Sequence, residues 1–574
     1  VKCTTKKYAT SLLGLGLCLG CFAESTWAVP DPDNEYLDLD ISHVMQTTNN
    51  FLILADGRTL YSSSASGVYW DVQDALLEDV DRIEVIHGPS GTSWGANAVD
   101  GAINIITGKA SGTEGGLVRV SIENKERLSG ALRYAKAIGE STHARAYLTY
   151  RDRDFLGLHG TETAANDDSE SLHGGFRLDG GDTQKDSWIV QGDIYTEDAN
   201  HLVLPRLELT PLSISKSTDN YDAPGWKIFT KWKHQLSKEN FWTLQSSYDF
   251  SNRDELYIER THKIFDVDFQ HQLQLGKHHD LKWGLAYRHI HDEFDNTWQL
   301  LFSPDSYTQE LFSGFVQDEI MLMADRMWFT LESKIEHNDF TGYEIQPSGR
   351  LFFKLVEEQT VWTAVSRAVR APSRIERDAR LVAMLIPEVS PSPTANFLWG
   401  NQDYDSEDVL VYELGYRIVP KKQLSLDIAL FYNEYDNLRT VTPVMMPPTS
   451  EIQFDNKSSG SSFGFELAAD WKPGDWISFQ FGYTYLELDL DVNDGELGLD
   501  EVVVYKDSSP QHGVSLRSTI DIAQDLQMTM LLRYVDQFSA AGIEALSSQS
   551  IVDEYVAPLT VIEQSIYGKL IYSF

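Results

Sequence analysis

Leu424-Ser425-Leu426-Asp427-Ile428-Ala429-Leu430-Phe431-Tyr432 puts Leu424, Leu426, Ile428, Leu430 and Tyr432 on one face and Ser425, Asp427 and Ala429 on the other. A period of two is the signature of a strand with one greasy side. The pattern repeats at Leu526, Met528, Met530, Leu532 and Tyr534 against Gln527, Thr529 and Arg533, and at Leu410, Tyr412, Leu414, Tyr416 and Ile418 against Glu413 and Arg417. A soluble sandwich and a membrane barrel share this period, so the loops must decide between them. Short connections fall near 139–142, 181–186, 236–240, 276–279, 322–326, 419–423, 472–476 and 521–526, and longer ones near 199–220, 295–306, 374–406, 441–453 and 490–508. Short turns on one rim and long loops on the other are the plan of an outer-membrane barrel.

Counting outward from that stretch gives about 20 strands between residues 115 and 574, about 23 residues each, enough for a span of roughly 9–11 residues plus a turn. Trp226, Trp232, Trp242, Trp283, Trp328, Trp362, Trp471 and Trp476 recur near strand ends, as interfacial girdles do. The last strand alternates through Ile566, Gly568, Leu570 and Tyr572 to a terminal Phe574, an ending that resembles the assembly signal of bacterial outer-membrane barrels. The bilayer and the barrel-assembly machinery are therefore expected partners, and a closed ring is expected to act as a monomer.

The chain of 574 residues carries 47 Lys and Arg against 86 Asp and Glu, a net charge of -39. That excludes a basic nucleic-acid surface. Residues 1 to 28 read as a signal peptide, with Lys2, Lys6 and Lys7 before an apolar run and Thr26-Trp27-Ala28 at the cleavage point. Cys3, Cys18 and Cys21 all lie inside it, which leaves the remainder without disulfides.

The head, residues 29 to 113, has another texture. Phe51-Leu52-Ile53-Leu54 reads as a buried strand ending in an Asp56-Gly57 turn, Val72 to Leu77 as a short helix, and Arg82 to Ile86 as a second strand. A glycine-rich run follows from Gly88-Pro89-Ser90-Gly91 through Gly95 and Gly101 to Asn104-Ile105-Ile106-Thr107, without the Lys that closes a phosphate loop. The run from Asp81 to Thr107 resembles the plug signature of the TonB-dependent outer-membrane receptors. Phe315-Val316-Gln317-Asp318-Glu319, Gln346-Pro347-Ser348, the stretch from Val365 to Ser373, Tyr412-Glu413-Leu414-Gly415 and Gly464-Phe465-Glu466 are similar to barrel stretches of that family.

The resemblance implies an all-β transmembrane barrel of about 20–22 antiparallel strands over 114–574, with a small α+β plug over 29–113 in its lumen. It implies energy-coupled uptake of a scarce nutrient such as a ferric siderophore, haem or cobalamin, with TonB as partner through a short segment ahead of the plug. The plug-signature positions are Arg82, Glu84, His87, Gly88, Pro89, Gly95, Gly101 and Asn104, with Arg82, Glu84 and Asn104 expected to contact the wall. The chain departs from the pattern in four ways. The front of the plug is short, a coupling segment is visible at best within Asp40 to Thr48, His87 replaces an arginine, and Ser539 to Pro558 is too irregular for two strands. The alternative is a reduced, uncoupled barrel acting as a passive pore or binding protein.

For ligand contact the mixed aromatic and guanidinium groups Arg374, Arg377, Phe397, Trp399 and Tyr404 in the longest loop suit a partly planar chelate. His289 and His291, two apart on one strand face, are metal candidates, with an ordinary polar lumen wall as the alternative. The acidic run Glu487 to Asp500 misses calcium-loop spacing, and no triad or thiol nucleophile stands out. No enzyme activity and no cofactor is expected.

Overall fold

The computed structural model describes residues 51–573 apart from 65, 74, 124–125, 156, 159–166, 182–184, 210–211, 256–257, 387–393, 447–448, 493–509, 524–525, 537–559 and 562–566. The signal peptide, the coupling segment, the Ser539–Pro558 stretch and Phe574 lie outside the described residues. A closed antiparallel barrel runs from Gly115–Glu123 round to Tyr567–Ser573, which pairs back onto the first strand with Leu570 opposite Val120.

The opening stretch shows which face is which. Ile428, Leu430 and Tyr432 are 41%, 40% and 41% exposed, while Ala429, Phe431 and Asn433 on the same strand are 2%, 2% and 0%. Leu414 and Met530, at 48% and 58%, follow the same rule. The greasy face points outward and the mixed face inward, the reverse of a soluble sheet, and is stable only against lipid. Trp226, Trp232, Trp471 and Trp476 are exposed on the outside, whereas Trp362 is buried under Phe352 and Ala364 and is not part of a girdle.

Inside sits a four-stranded sheet of β1 (Phe51–Ala55), β2 (Arg58–Thr59), β3 (Val80–His87) and β4 (Gly101–Thr107), in the order β2-β1-β4-β3. β1 runs parallel to β4, with Ile53 opposite Ile103, and β3 pairs antiparallel to it. Leu52, Leu54, Tyr61, Ala98 and Ala102 form its core, closed by Ile86 and Trp94. The glycine-rich run includes one helical turn, α1 (Gly91–Trp94).

The helix expected over Val72–Leu77 does not form. Two 3-10 turns, Trp70–Val72 and Leu77–Asp79, flank that stretch. Val72 and Leu76 are pulled apart, because Val72 packs on wall residues Ala199, Tyr221 and Ala223 while Leu76 lines a separate cavity with Ile105 and Phe229.

Candidate functional site: the plug and its seams with the wall

Beneath the long loops, the chain after strand Gln359–Arg370 turns over the plug through α2 (Arg374–Asp378). Ser373 and Glu376 form a reciprocal capping box, as a Ser-x-x-Glu spacing permits. The first helical amides reach across to the plug: Arg374 N–H donates to Ser63 O (3.0 Å) and Ile375 N–H to Ser64 O (3.1 Å). Arg370 is fully buried, donating to Glu376 (2.7 Å), to Tyr404 Oη (3.0 Å), to Ser66 Oγ of the plug (3.2 Å) and to Glu407. Burial alone would raise the Glu376 carboxyl, but the adjacent Arg370 outweighs it and holds the group below its ordinary range. Burial drives the Tyr404 phenol well up, so it stays a neutral donor to Glu407 (2.9 Å), and pushes the Tyr61 phenol of the plug to about 12.

The five residues expected to meet a ligand divide here. Arg374 is 0% exposed, bonded to Asp378 and Pro304 O and ringed by Phe294, Phe302 and Tyr307 at 5.0–5.5 Å. Arg377 donates to Phe340 O and Tyr404 O. Tyr404 is 1% exposed. In this structure Arg374 and Tyr404 have no free surface to offer, and together with Arg377 they tie the loop to the plug and wall. Phe397 and Trp399 remain half-buried, their rings 6.4 Å apart, and beside both lies a residue that sequence reading missed. The Arg380 guanidinium stands 4.7 Å from the Phe397 ring and 5.7 Å from Trp399, while Trp399 Nε1 donates to Glu451 (2.7 Å). Arg380 and Trp399 are cross-strand partners, a pairing with no local sequence signal.

The plug signature serves the plug itself. Arg82 pairs with Glu84 (2.7 Å) and Asp81 (2.9 Å) on its own strand, and Asn104 accepts from Gly57 N–H (3.1 Å) at the β1–β2 turn. Among the described residues none of the three makes the polar wall contact expected of it, because β3 and β4 pair with each other and Arg82 bonds carboxylates on its own strand. His87, half-buried, is driven down to about 4 by desolvation and stays neutral. Gly88, Gly95 and Gly101 take positive φ, and Gly101 is the demanding one, since a Cβ there would lie 2.1 Å from Ile86 O. Pro89 follows Gly88 at the end of β3.

Other residues make the wall contacts. Arg58 meets Asp249 (2.6 Å), Asp79 meets Arg133 and Arg145 (2.7 and 3.0 Å), Glu78 meets Arg119 (3.3 Å), Asp71 meets Arg253 (2.5 Å), and Thr92 donates to Glu332 (2.8 Å). Asn97 donates its N–H to Val369 O and accepts from Ala371 N–H. His289 and His291 do not face the lumen. Ile290, Asp292 and Phe294 are the buried inner set, so the histidines project outside, His291 bonded to Thr308 and His289 near Glu310 at 3.8 Å. Among the described residues no group of three or more metal-ligating side chains assembles.

Known proteins agree with this architecture. The family model for the TonB-dependent receptor-like β-barrel matches residues 133–543 and that for the TonB-dependent receptor plug domain matches 39–102. The chain is 24% identical over 480 residues to the iron-regulated outer membrane virulence protein of Vibrio cholerae, covering 78% of this chain and 69% of that one. It is 25% identical over 456 residues to the ferric enterobactin receptor of Pseudomonas aeruginosa, covering 68% and 60%. Its fold matches crystal structures of the siderophore receptor PirA from Pseudomonas aeruginosa (TM-score 0.65, 16% identity, 92% and 91% covered) and from Acinetobacter baumannii (0.66, 17%, 91% and 84%). With a polar-lined barrel, a plug fastened inside it and family matches over most of its length, the chain belongs to the TonB-dependent receptors, the nutrient-uptake receptors of the outer membrane.

Proposed function

We propose that this receptor takes up an iron chelate, with residues 29–113 as its plug, 114–574 as its barrel, and the Phe397–Arg380–Trp399 stack as an outer contact for the ligand. The observation that carries the reading is the tie between the outer loop and the plug. The loop that presents the stack also donates Arg374 and Ile375 N–H to Ser63 and Ser64, so a ligand bound outside sits on a segment attached to the piece that must yield. A guanidinium beside two rings offers a fixed charge and aromatic faces to a planar, partly aromatic chelate. The relatives named for iron regulation and ferric enterobactin support iron over cobalamin.

TonB would engage the chain ahead of the described residues, within Asp40 to Thr48. The closed ring supports action as a monomer after insertion by the barrel-assembly machinery, and transport rather than enzymatic chemistry. The test is transcript level and growth under iron against cobalamin limitation in a strain carrying or lacking the gene. Induction and a growth advantage under iron limitation alone are expected. An advantage confined to cobalamin limitation would overturn the iron assignment.

A further inference from the structure

Two cavities lie end to end between the plug and the wall strands Asp186–Leu209, Gly225–Ser237 and Asn240–Glu255. They share Arg58, Leu60 and Gln73. One is lined by Arg253 and Arg260, near the long-loop ends of their strands, the other by Arg145 and Arg177, near the short-turn ends of theirs. We propose that this seam is the route by which an anionic solute crosses the lumen, opened by displacement of the two 3-10 turns that border it. The proposal rests on the transport reading above and adds the side of the plug that opens, the piece that moves and the charge of what passes.

The bordering piece is built to yield. Two of its backbone hydrogen bonds are local, Gln73 N–H to Trp70 O (3.1 Å) and Asp79 N–H to Leu76 O (2.8 Å), and Gly108 N–H, just past β4, donates to Asp79 O (2.7 Å). Side-chain charge and one apolar contact fasten it to the wall: Asp71 to Arg253, Glu78 to Arg119, and Asp79 to Arg133 and Arg145, with Val72 packed on Ala199, Tyr221 and Ala223. Tyr69 adds a ring that both Arg253 and Arg260 stack on, at 4.9 and 4.2 Å. Such contacts can be exchanged one at a time for water, whereas a sheet ladder must break together. Gln73, common to both cavities, sits where they would merge.

With the turns in place the seam is close to neutral: Arg58, Arg145, Arg177, Lys227, Arg253 and Arg260 line it with Asp56, Asp79, Asp193 and Asp249, and Asp71 and Glu255 pair with Arg253 and Asp179 with Arg177 at its edge. Moving the turns withdraws Asp71, Glu78 and Asp79 and takes those carboxylates from Arg119, Arg133 and Arg145, which turns the potential along the route positive.

The experiment is planar-bilayer recording of the purified full-length protein in a potassium chloride gradient. The Asp71→Asn/Glu78→Gln/Asp79→Asn variant should open channels that pass roughly threefold more chloride than potassium or better, and Asp71→Asn alone should open smaller channels of the same selectivity. A Val72→Cys/Ala223→Cys pair joins two side chains already packed together, and no cysteine follows Cys21 to compete. Added to the triple variant and oxidised, it should abolish the openings, with recovery on reduction. A Val99→Cys/Ala368→Cys pair on the opposite flank should leave them intact. Cation-selective openings, openings that survive the Val72–Ala223 link, or silence from both tether variants with normal heat-modifiable migration would overturn the proposal. Loss of iron-dependent growth in the wild type would strike the transport reading alone, because the conductance assay needs neither ligand nor TonB.

Discussion

On one flank of the plug a Cβ at Gly91 would fall 2.0 Å from Gln346 Oε1, Val99 is packed among Ala368, Val409, Val411 and Tyr435, and Asn97 bonds the wall through its backbone. On the other flank, across from strands Gly225–Ser237 and Asn240–Glu255, arginine–carboxylate pairs spaced around two cavities make most of the plug's attachments, with Val72 on Ala199, Tyr221 and Ala223 as the apolar contact among them. Close apolar packing has no intermediate state, since separating it exposes surface all at once. Ion pairs beside water-accessible space can be traded gradually. One body thus has a flank that fixes it and a flank that can open.

The comparison breaks most readily at Arg370. Arg370→Met takes the Arg370 cation from buried Glu407 and leaves Glu376 with Arg439 at 3.6 Å, and should cost about 3–5 kcal/mol of stability, read as a lowered midpoint of thermal or denaturant unfolding. A cost under about 1 kcal/mol would mean that the junction over the fixed flank is not what holds it.

Acidification should loosen the plug next. His87 has a folded value of about 4 against an ordinary 6.5, so the unfolded chain binds a proton that the folded one refuses. The stability conferred by the neutral ring is complete above about pH 6.5 and declines as pH falls toward 4, by up to about 3 kcal/mol. Melting curves at pH 7 and 4.5 should diverge in the wild type and converge in His87→Gln. Equal divergence in both would assign the acid sensitivity to other groups.

Adding bulk distinguishes the flanks directly. Gly91→Ala pushes a methyl into the buried Gln346 amide and toward Ala368, and should cost about 1–3 kcal/mol. Ala75→Val, which extends into the cavity beside Arg145 and Phe176, should change stability by less than about 0.5 kcal/mol. Similar costs at both positions would erase the distinction between the flanks. The smallest effect belongs to Arg82→Ala. Its partners are partly exposed and lie on its own strand, so a loss within about 0.5 kcal/mol is expected; a loss near 2 kcal/mol would reveal a contribution to fastening the plug that its contacts do not suggest.

The barrel was legible because strand periodicity is local. Alternation at residues 424–432 needs only neighbours along the chain, and so do the short turns that separate one stave from the next. The plug sheet was legible for the same reason, through β1, β3 and the glycine-rich run. The Val72–Leu77 helix was misread because its apolar pattern suits one continuous face, while the two sides of the lumen take Val72 and Leu76 separately. His289 and His291 show the limit of assigning faces by polarity. Alternation told which residues share a side, but above the apolar band the outer side is polar as well, so chemistry no longer revealed which side it was.

The amino-acid sequence by itself determined the barrel, the plug and the outer-membrane address, since each is written in spacing over a few residues. Only the tertiary structure decided that Arg380 stands beside the Phe397 and Trp399 rings, that Arg374 and Tyr404 are buried, and that Arg370 joins Ser66, Glu376 and Glu407. These contacts cross long stretches of chain, Ser66 and Arg370 lying 304 residues apart. A buried charge takes whichever partners closure of the barrel brings to it, and no local pattern of residues states which those will be.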